Sequence, residues 1–130
     1  MSPVILLDTH AWAWSMLKDP RLSPAARQVL DGVHDIAISP ISVFEIGQKV
    51  RLGKWPEMVP FAMKLETYVE WQEAEVAPVT LAIADFAARL NWMHRDPFDR
   101  MIAATALVNG WSLLSADSAF DSLNTLRRIW

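Results

Sequence analysis

The sequence predicts an α/β domain: a central parallel sheet flanked by helices on both faces. Three observations carry this. Short apolar runs of strand length alternate with longer segments of helical pattern along the whole chain. The strand candidates are apolar without interruption, as strands buried on both faces are. Hydrophobic residues make up 52% of the 130 residues and are spread throughout, enough for a core on either side of a sheet.

Taken in order, Val4 to Leu7 is a β-branched and leucine run that stops abruptly at Asp8 and reads as a buried strand. Thr9 to Leu17 follows as a helix. Ser23-Pro24 supplies an N-cap and a first-turn proline for a short helix, Ala25 to Leu30, stopped by Gly32. Asp35 to Ser39 is a second strand. Ser39-Pro40 repeats the cap-plus-proline start, but Ser42 and Glu45 have capping-box spacing, so two helix starts compete before an end near Gly53. Pro60 to Trp71 reads as a helix and Glu75 to Val79 as a strand. Thr80 then caps a helix from Ala82 to Leu90. Asp96-Pro97 opens a long apolar helix through Val108, with Gly110 just past its end. Trp111 to Leu114 is a strand running into Ser115-Ala116-Asp117, and Arg127 to Trp130 is a last short strand. Length and the lack of repeats or linkers predict a single domain over residues 1–130.

Composition narrows the chemistry. With no cysteine, disulfides, thiolate metal sites and a cysteine nucleophile are excluded, leaving oxygen or imidazole ligands for any metal. The N-terminus lacks the cationic opening and apolar length of a signal peptide, and no stretch is long enough to span a membrane, so a cytoplasmic protein is expected. A formal charge of −3 argues against non-specific duplex binding, which depends on many cations meeting phosphates.

In an open parallel sheet, ligands bind beyond the carboxyl ends of the strands. Asp8 follows the first strand, Asp117 follows the strand containing Leu113 and Leu114, and Asp99 lies in the first turn of the helix opened by Pro97. The helix carrying Glu45 follows the strand ending at Ile38 and points its first turns toward the same crevice. Each acid also has a bland reading: Asp99 and Asp96 as dipole or cap residues, Asp8 and Asp117 as turn residues, and Glu45 as the i,i+4 partner of Lys49. Asp31, Asp85, Asp121, Glu66, Glu70, Glu73 and Glu75 read as solvated.

Together the four acids mean more. Unit charges ~4 Å apart repel by ~4 kcal/mol at an effective dielectric near 20, so gathered carboxylates need protons or a cation between them. All-oxygen ligands favour Mg2+ or Mn2+, which can polarise a phosphodiester and activate water. Lys49, Arg51 and Lys54 at one helix end, and Arg95 and Arg100 around Asp96 and Asp99, are candidate phosphate contacts with a solvated basic face as the alternative. Among seven tryptophans, Trp14, Trp92 and Trp111 read as core or core edge, and Trp12 and Trp55 as a possible stacking surface or partner groove. His10 sits close to Asp8, while His34 and His94 read as loop residues. A receiver domain would want paired acids after its first strand and a phosphoacceptor aspartate after the middle one, where Ser39-Pro40 stands. A haloacid-dehalogenase-type phosphatase would want Asp-x-Asp, and His10 occupies the second position.

Four segments, Leu6-Leu7-Asp8-Thr9-His10, Ser42-Val43-Phe44-Glu45-Ile46, Arg95-Asp96-Pro97-Phe98-Asp99-Arg100 and Leu113-Leu114-Ser115-Ala116-Asp117, resemble in order and spacing the PIN-domain family, and within it the VapC-type toxins of toxin–antitoxin pairs. The resemblance implies a PIN fold, Mg2+- or Mn2+-dependent endoribonuclease activity on RNA, and a metal site of Asp8, Glu45, Asp99 and Asp117. It also implies support from Thr9, Asp96 and Ser115, the last standing where the family often has threonine. It further implies a homodimer and a cognate VapB-type antitoxin that blocks the acidic crevice and supplies DNA binding. A catalytically silent PIN-like binding module would be expected to lack at least one of the acids, and all four are present.

Overall fold

A computed structural model describes residues 3–130 and shows five strands and six α-helices among them. Strands β1 (Val4–Leu7), β2 (Asp35–Ile38), β3 (Glu75–Val76), β4 (Ser112–Leu114) and β5 (Arg128–Ile129) form one sheet in the order β3-β2-β1-β4-β5. Every neighbouring pair is parallel; Ile5 lies opposite Ile36 on one side and Ser112 on the other. The helices are α1 (Thr9–Leu17), α2 (Pro24–Gln28), α3 (Pro40–Arg51), α4 (Leu65–Trp71), α5 (Leu81–Arg89) and α6 (Pro97–Asn109).

Alternation along the strands explains why they read as unbroken apolar runs. Ile5, Leu7, Ile36, Ile38 and Leu114 point to one face and pack with Trp12, Met16, Ala26, Ile46 and Leu65 from α1 to α4. Leu6, Ala37 and Leu113 point to the other and pack with Ile102, Ala103 and Ala106 of α6 and with Phe120. Helix α5 joins this second layer by placing Ile83 and Ala87 against Ala104.

The helix starts follow side-chain chemistry. Ser23, Ser39, Thr80 and Asp96 each accept a backbone N–H at the head of α2, α3, α5 and α6. Gly110 closes α6 with φ +70°, a conformation that costs glycine nothing. The rivalry at α3 resolves in favour of Ser39. The Ser42 hydroxyl is instead hydrogen-bonded to Thr9 Oγ1 at 2.9 Å in the buried α1–α3 contact, so no capping box forms with Glu45.

Several expected elements are shorter than the sequence suggested: the last strand is Arg128–Ile129 alone, α2 ends at Gln28, and two further differences have a plain cause. The helix expected from Pro60 begins only at Leu65; Pro60 to Lys64 is a run of turns after a 3₁₀ turn at Pro56–Met58, in which Phe61 packs on the core while Met63 is 93% exposed. The strand expected over Glu75 to Val79 pairs only through Val76. Ala77 still donates to the Ile38 carbonyl at 2.9 Å, and Pro78 has no N–H to continue the ladder. No helix among the described residues is long and apolar enough to cross a membrane.

Candidate active site

At the carboxyl edge of the sheet the chain turns out of β1 and β4 directly into helical N-termini. Asp8 is the N-cap of α1, its Oδ1 accepting the Ala11 N–H at 2.8 Å. Asp117 caps the 3₁₀ turn Ser118–Ser122, accepting from Ala119 N–H at 2.9 Å, and Asp96 caps α6, accepting from Phe98 and Asp99. These caps explain the position of each carboxylate: one oxygen is tied to a helix start, and the positive end of the backbone dipole favours the charged form.

Asp8, Glu45, Asp96, Asp99 and Asp117 line one cavity of about 230 Å³ together with His10, Trp14, Lys49 and Ala116. All four acids expected at the site therefore share one crevice. Glu45 reaches it from the second turn of α3 rather than from its N-terminus. It is 4% exposed; Oε2 meets Lys49 Nζ at 2.6 Å, while Oε1 is buried without any hydrogen-bond partner. The ion pair and the ligand role, alternatives in the sequence, thus occupy different oxygens of one carboxylate. A buried anionic oxygen with no donor costs several kcal/mol unless a cation meets it, which fits a dication in the crevice.

The electrostatics agree. Burial pushes the Asp8 carboxyl up to about 6, the Asp99 and Glu45 charges add to that, and the Ser115 hydroxyl and Ala11 N–H oppose it. Asp99 is also raised, first by burial, against a hydrogen bond from His94. Burial and then the Lys49 charge hold His10 below its ordinary value, favouring a neutral ring. Like charges and desolvation at one place are the conflict that a bound cation relieves.

The supporting residues divide. Ser115 is fully buried, accepts the Asp117 N–H at 3.0 Å and lies beside Asp8, so it braces both acids. Thr9 is spent on Ser42 and acts on Asp8 only by fixing α1 against α3. Asp96 orders the first turn of α6, which carries Asp99.

Of the expected phosphate contacts only Lys49 lines the cavity. Arg51, Lys54 and Arg95 are exposed and lie outside its lining. Arg100 does not fit the role: its five N–H bonds go to the backbone carbonyls of Ala87, Leu90, Trp92 and His94. The stacking surface expected of Trp12 and Trp55 is likewise corrected. Trp12 is fully buried, donating to Gln72 Oε1 at 2.8 Å, and Trp55 is 9% exposed with His10 over it, ring centroids 4.8 Å apart. The indole facing the cavity is Trp14, which packs on Trp130 and carries the Arg21 guanidinium 4.6 Å from its ring centre. His94, read as a loop residue, is the site residue that sequence reasoning missed. Its Nε2 lies 2.6 Å from Asp99 Oδ2, and ligand atoms of His94, Asp99 and Asp117 all fall within 4.8 Å of one another. Its position two residues before the capping Asp96 was the available signal.

A larger cavity, about 420 Å³, opens elsewhere beside Ser15, Lys18, Asp19, Arg27 and Asp31. It gathers opposite charges rather than like ones and has none of this strain.

A doubly covered parallel sheet whose carboxyl edge gathers acids from helix caps and one helix flank defines a class: an α/β domain with an acidic, cation-seeking crevice. The chain belongs to the PIN domain family, whose model matches residues 5–126. It is 31% identical over 119 residues to Ribonuclease VapC22 of Mycobacterium tuberculosis, covering 91% of this chain and 90% of that protein. Among solved structures, VapBC2 of Rickettsia felis bound to a promoter DNA fragment superposes with a TM-score of 0.70 at 18% identity, covering 96% of each chain. FitAcB of Neisseria gonorrhoeae gives 0.64 at 19% identity over 95% of each. The expected PIN-like fold is confirmed.

Proposed function

We propose that this chain, as a single PIN domain, is a Mg2+- or Mn2+-dependent endoribonuclease acting in the cytoplasm as the toxin of a toxin–antitoxin pair. The observation that carries the reading is the convergence of Asp8, Glu45, Asp99 and Asp117 on one crevice, with the Glu45 Oε1 atom buried and unpartnered. The relative at 31% identity is named a ribonuclease, and one of the solved structures similar in fold is a toxin–antitoxin complex from Klebsiella pneumoniae, with a TM-score of 0.65 at 18% identity. RNA, a VapB-type antitoxin, a second copy of the chain, and DNA only through the antitoxin are the corresponding partners.

Asp8, Glu45, Asp99 and Asp117 would hold the dication. When bound, it supplies charge neutralisation at the scissile phosphodiester and acidification of the attacking water. The remaining work falls to the protein. The caps and Ser115 hold the carboxylates of Asp8 and Asp117 in place before substrate arrives, so little reorganisation is needed during reaction. Lys49 offers a cation to a phosphate oxygen at the crevice wall while keeping Glu45 oriented. His10 and Trp14 give the same wall flat faces suited to unpaired bases, which single-stranded RNA presents.

The test is expression of wild type and Asp8→Asn in cells, with mapping of RNA 5′ ends. Wild type is expected to arrest growth and leave discrete cleavage sites, both abolished in the variant. Equal toxicity from the two proteins would overturn the assignment. Purified wild type should lose cleavage in excess chelator and regain it with Mg2+ or Mn2+.

A further inference from the structure

Resting on that reading of the crevice, we infer that His94 is a direct ligand of the dication, joining Asp99 and Asp117 to make one side of the site a mixed imidazole–carboxylate set that prefers Mn2+ over Mg2+. Much of the surrounding structure is devoted to one loop imidazole. Between α5 and α6, the segment Leu90 to Arg95 has no regular hydrogen-bonding of its own. Arg100 supplies it, donating to Ala87 O at 2.9 and 3.1 Å, to Leu90 O at 2.5 Å, and to Trp92 O and His94 O at 2.9 Å each. Trp92 is pinned in turn by donating Nε1–H to Ser122 Oγ at 2.8 Å and by packing on Phe120, centroids 5.3 Å apart. The His94 ring then lies against Trp92, 4.7 Å between centroids, with Nε2 aimed at Asp99. The imidazole is thus fixed from its backbone and from one face, and its Nε2 is delivered to the Asp99 carboxylate.

The donor atoms suit one ion. His94 Nε2, an Asp99 oxygen and an Asp117 oxygen lie within 4.8 Å of one another. An octahedral ion with bonds of about 2.1 Å holds its donors roughly 3 to 4 Å apart, so small side-chain adjustments suffice. The unpartnered Glu45 Oε1 on the same cavity is an independent sign that the crevice is built to take a cation. Imidazole is a softer donor than carboxylate or water, which tilts such a set from Mg2+ toward first-row transition ions.

The experiment is pulsed electron paramagnetic resonance on tag-free protein loaded with Mn2+, reading nitrogen hyperfine coupling. The chain has three histidines, so the His10→Gln/His34→Gln variant leaves His94 as the sole imidazole. Directly coordinated nitrogen is expected in wild type and in this double variant, and not in His94→Gln, whose bound Mn2+ should see oxygen ligands only. His94→Gln should also weaken Mn2+ about tenfold while changing Mg2+ affinity by less than about threefold. Bound Mn2+ without nitrogen coupling in wild type, or coupling that persists in His94→Gln, would overturn the inference and leave His94 as a positioning residue for Asp99. Should the double variant fail to fold, the wild type and His94→Gln pair decides alone. Wild type that binds no Mn2+ at all would instead remove the metal-dependent nuclease reading beneath it.

Discussion

Asp8 illustrates how a residue can be structurally useful and electrostatically costly at once. Its folded-state carboxyl titrates at about 6 against 3.8 for the unperturbed group, because burial penalises the charge. The folded protein therefore binds the Asp8 proton more tightly than the unfolded chain does. The associated stability is fully present below about pH 4 and is lost as pH rises through about 6, a difference of about 3 kcal/mol at most at 1.36 kcal/mol per unit. In metal-free buffer at pH 7.5, Asp8→Asn should accordingly be more stable than wild type, since asparagine still caps α1 but carries no charge. Thermal melts in chelator from pH 4 to 8 check this: the advantage should vanish at the acid end, and a variant less stable at pH 7.5 would contradict it. The Thr9–Ser42 pair makes the complementary point. Thr9→Val should cost about 1–2 kcal/mol by stranding a buried hydroxyl, and Thr9→Val/Ser42→Ala should recover much of the loss in urea denaturation.

At the scale of elements, legibility followed how local the determining physics is. β1, α1 and α6 stand where they were expected because their signals, an apolar run ending in an acid or a cap followed by proline and closed by glycine, lie within a few neighbouring residues. Asp8 and Asp117 were readable because the end of a parallel strand fixes where the next residues go, and Asp99 because a cap and a proline mark the start of α6; Glu45 reaches the crevice from the second turn of α3, which strand ends do not report. What was not readable depended on distant partners. Whether Ser39 or Ser42 starts α3 was decided by Thr9, 33 residues from Ser42. Trp12 and Trp55 are buried by packing that no local pattern reports, and Arg100 looks like a phosphate contact until its carbonyl partners are known. That clamp yields a sharp expectation. Arg100→Lys keeps the charge but cannot serve four carbonyls from a compact ammonium, so it should lose about 2–4 kcal/mol, nearly as much as Arg100→Ala. Urea unfolding of the two variants measures this, and a lysine variant of wild-type stability would show that charge alone suffices.

For the whole molecule, the crevice is where buried like charges gather, and the relief of their repulsion by a cation should be visible in global stability. The sheet is covered on both faces, every α-helix start but that of α4 is capped by a side chain, and the exposed acids Asp85 and Asp121 have their own arginine partners. The crevice acids have no comparable set: among the buried Asp8 and Glu45 and the half-buried Asp99, Lys49 and His94 are the hydrogen-bonding basic side chains, and Glu45 Oε1 has none. Because an ion that binds the folded state alone stabilises it by mass action, Mn2+ at a hundredfold excess over its dissociation constant should add about 2.7 kcal/mol. Scanning calorimetry of chelator-stripped protein should therefore show the transition temperature rising with Mn2+. Asp8→Asn should start higher in chelator and gain less, so that the two curves converge or cross as the ion is added. Parallel curves would mean that the ion binds somewhere other than the crevice, and a flat wild-type curve would mean that the carboxylates resolve their repulsion with protons instead.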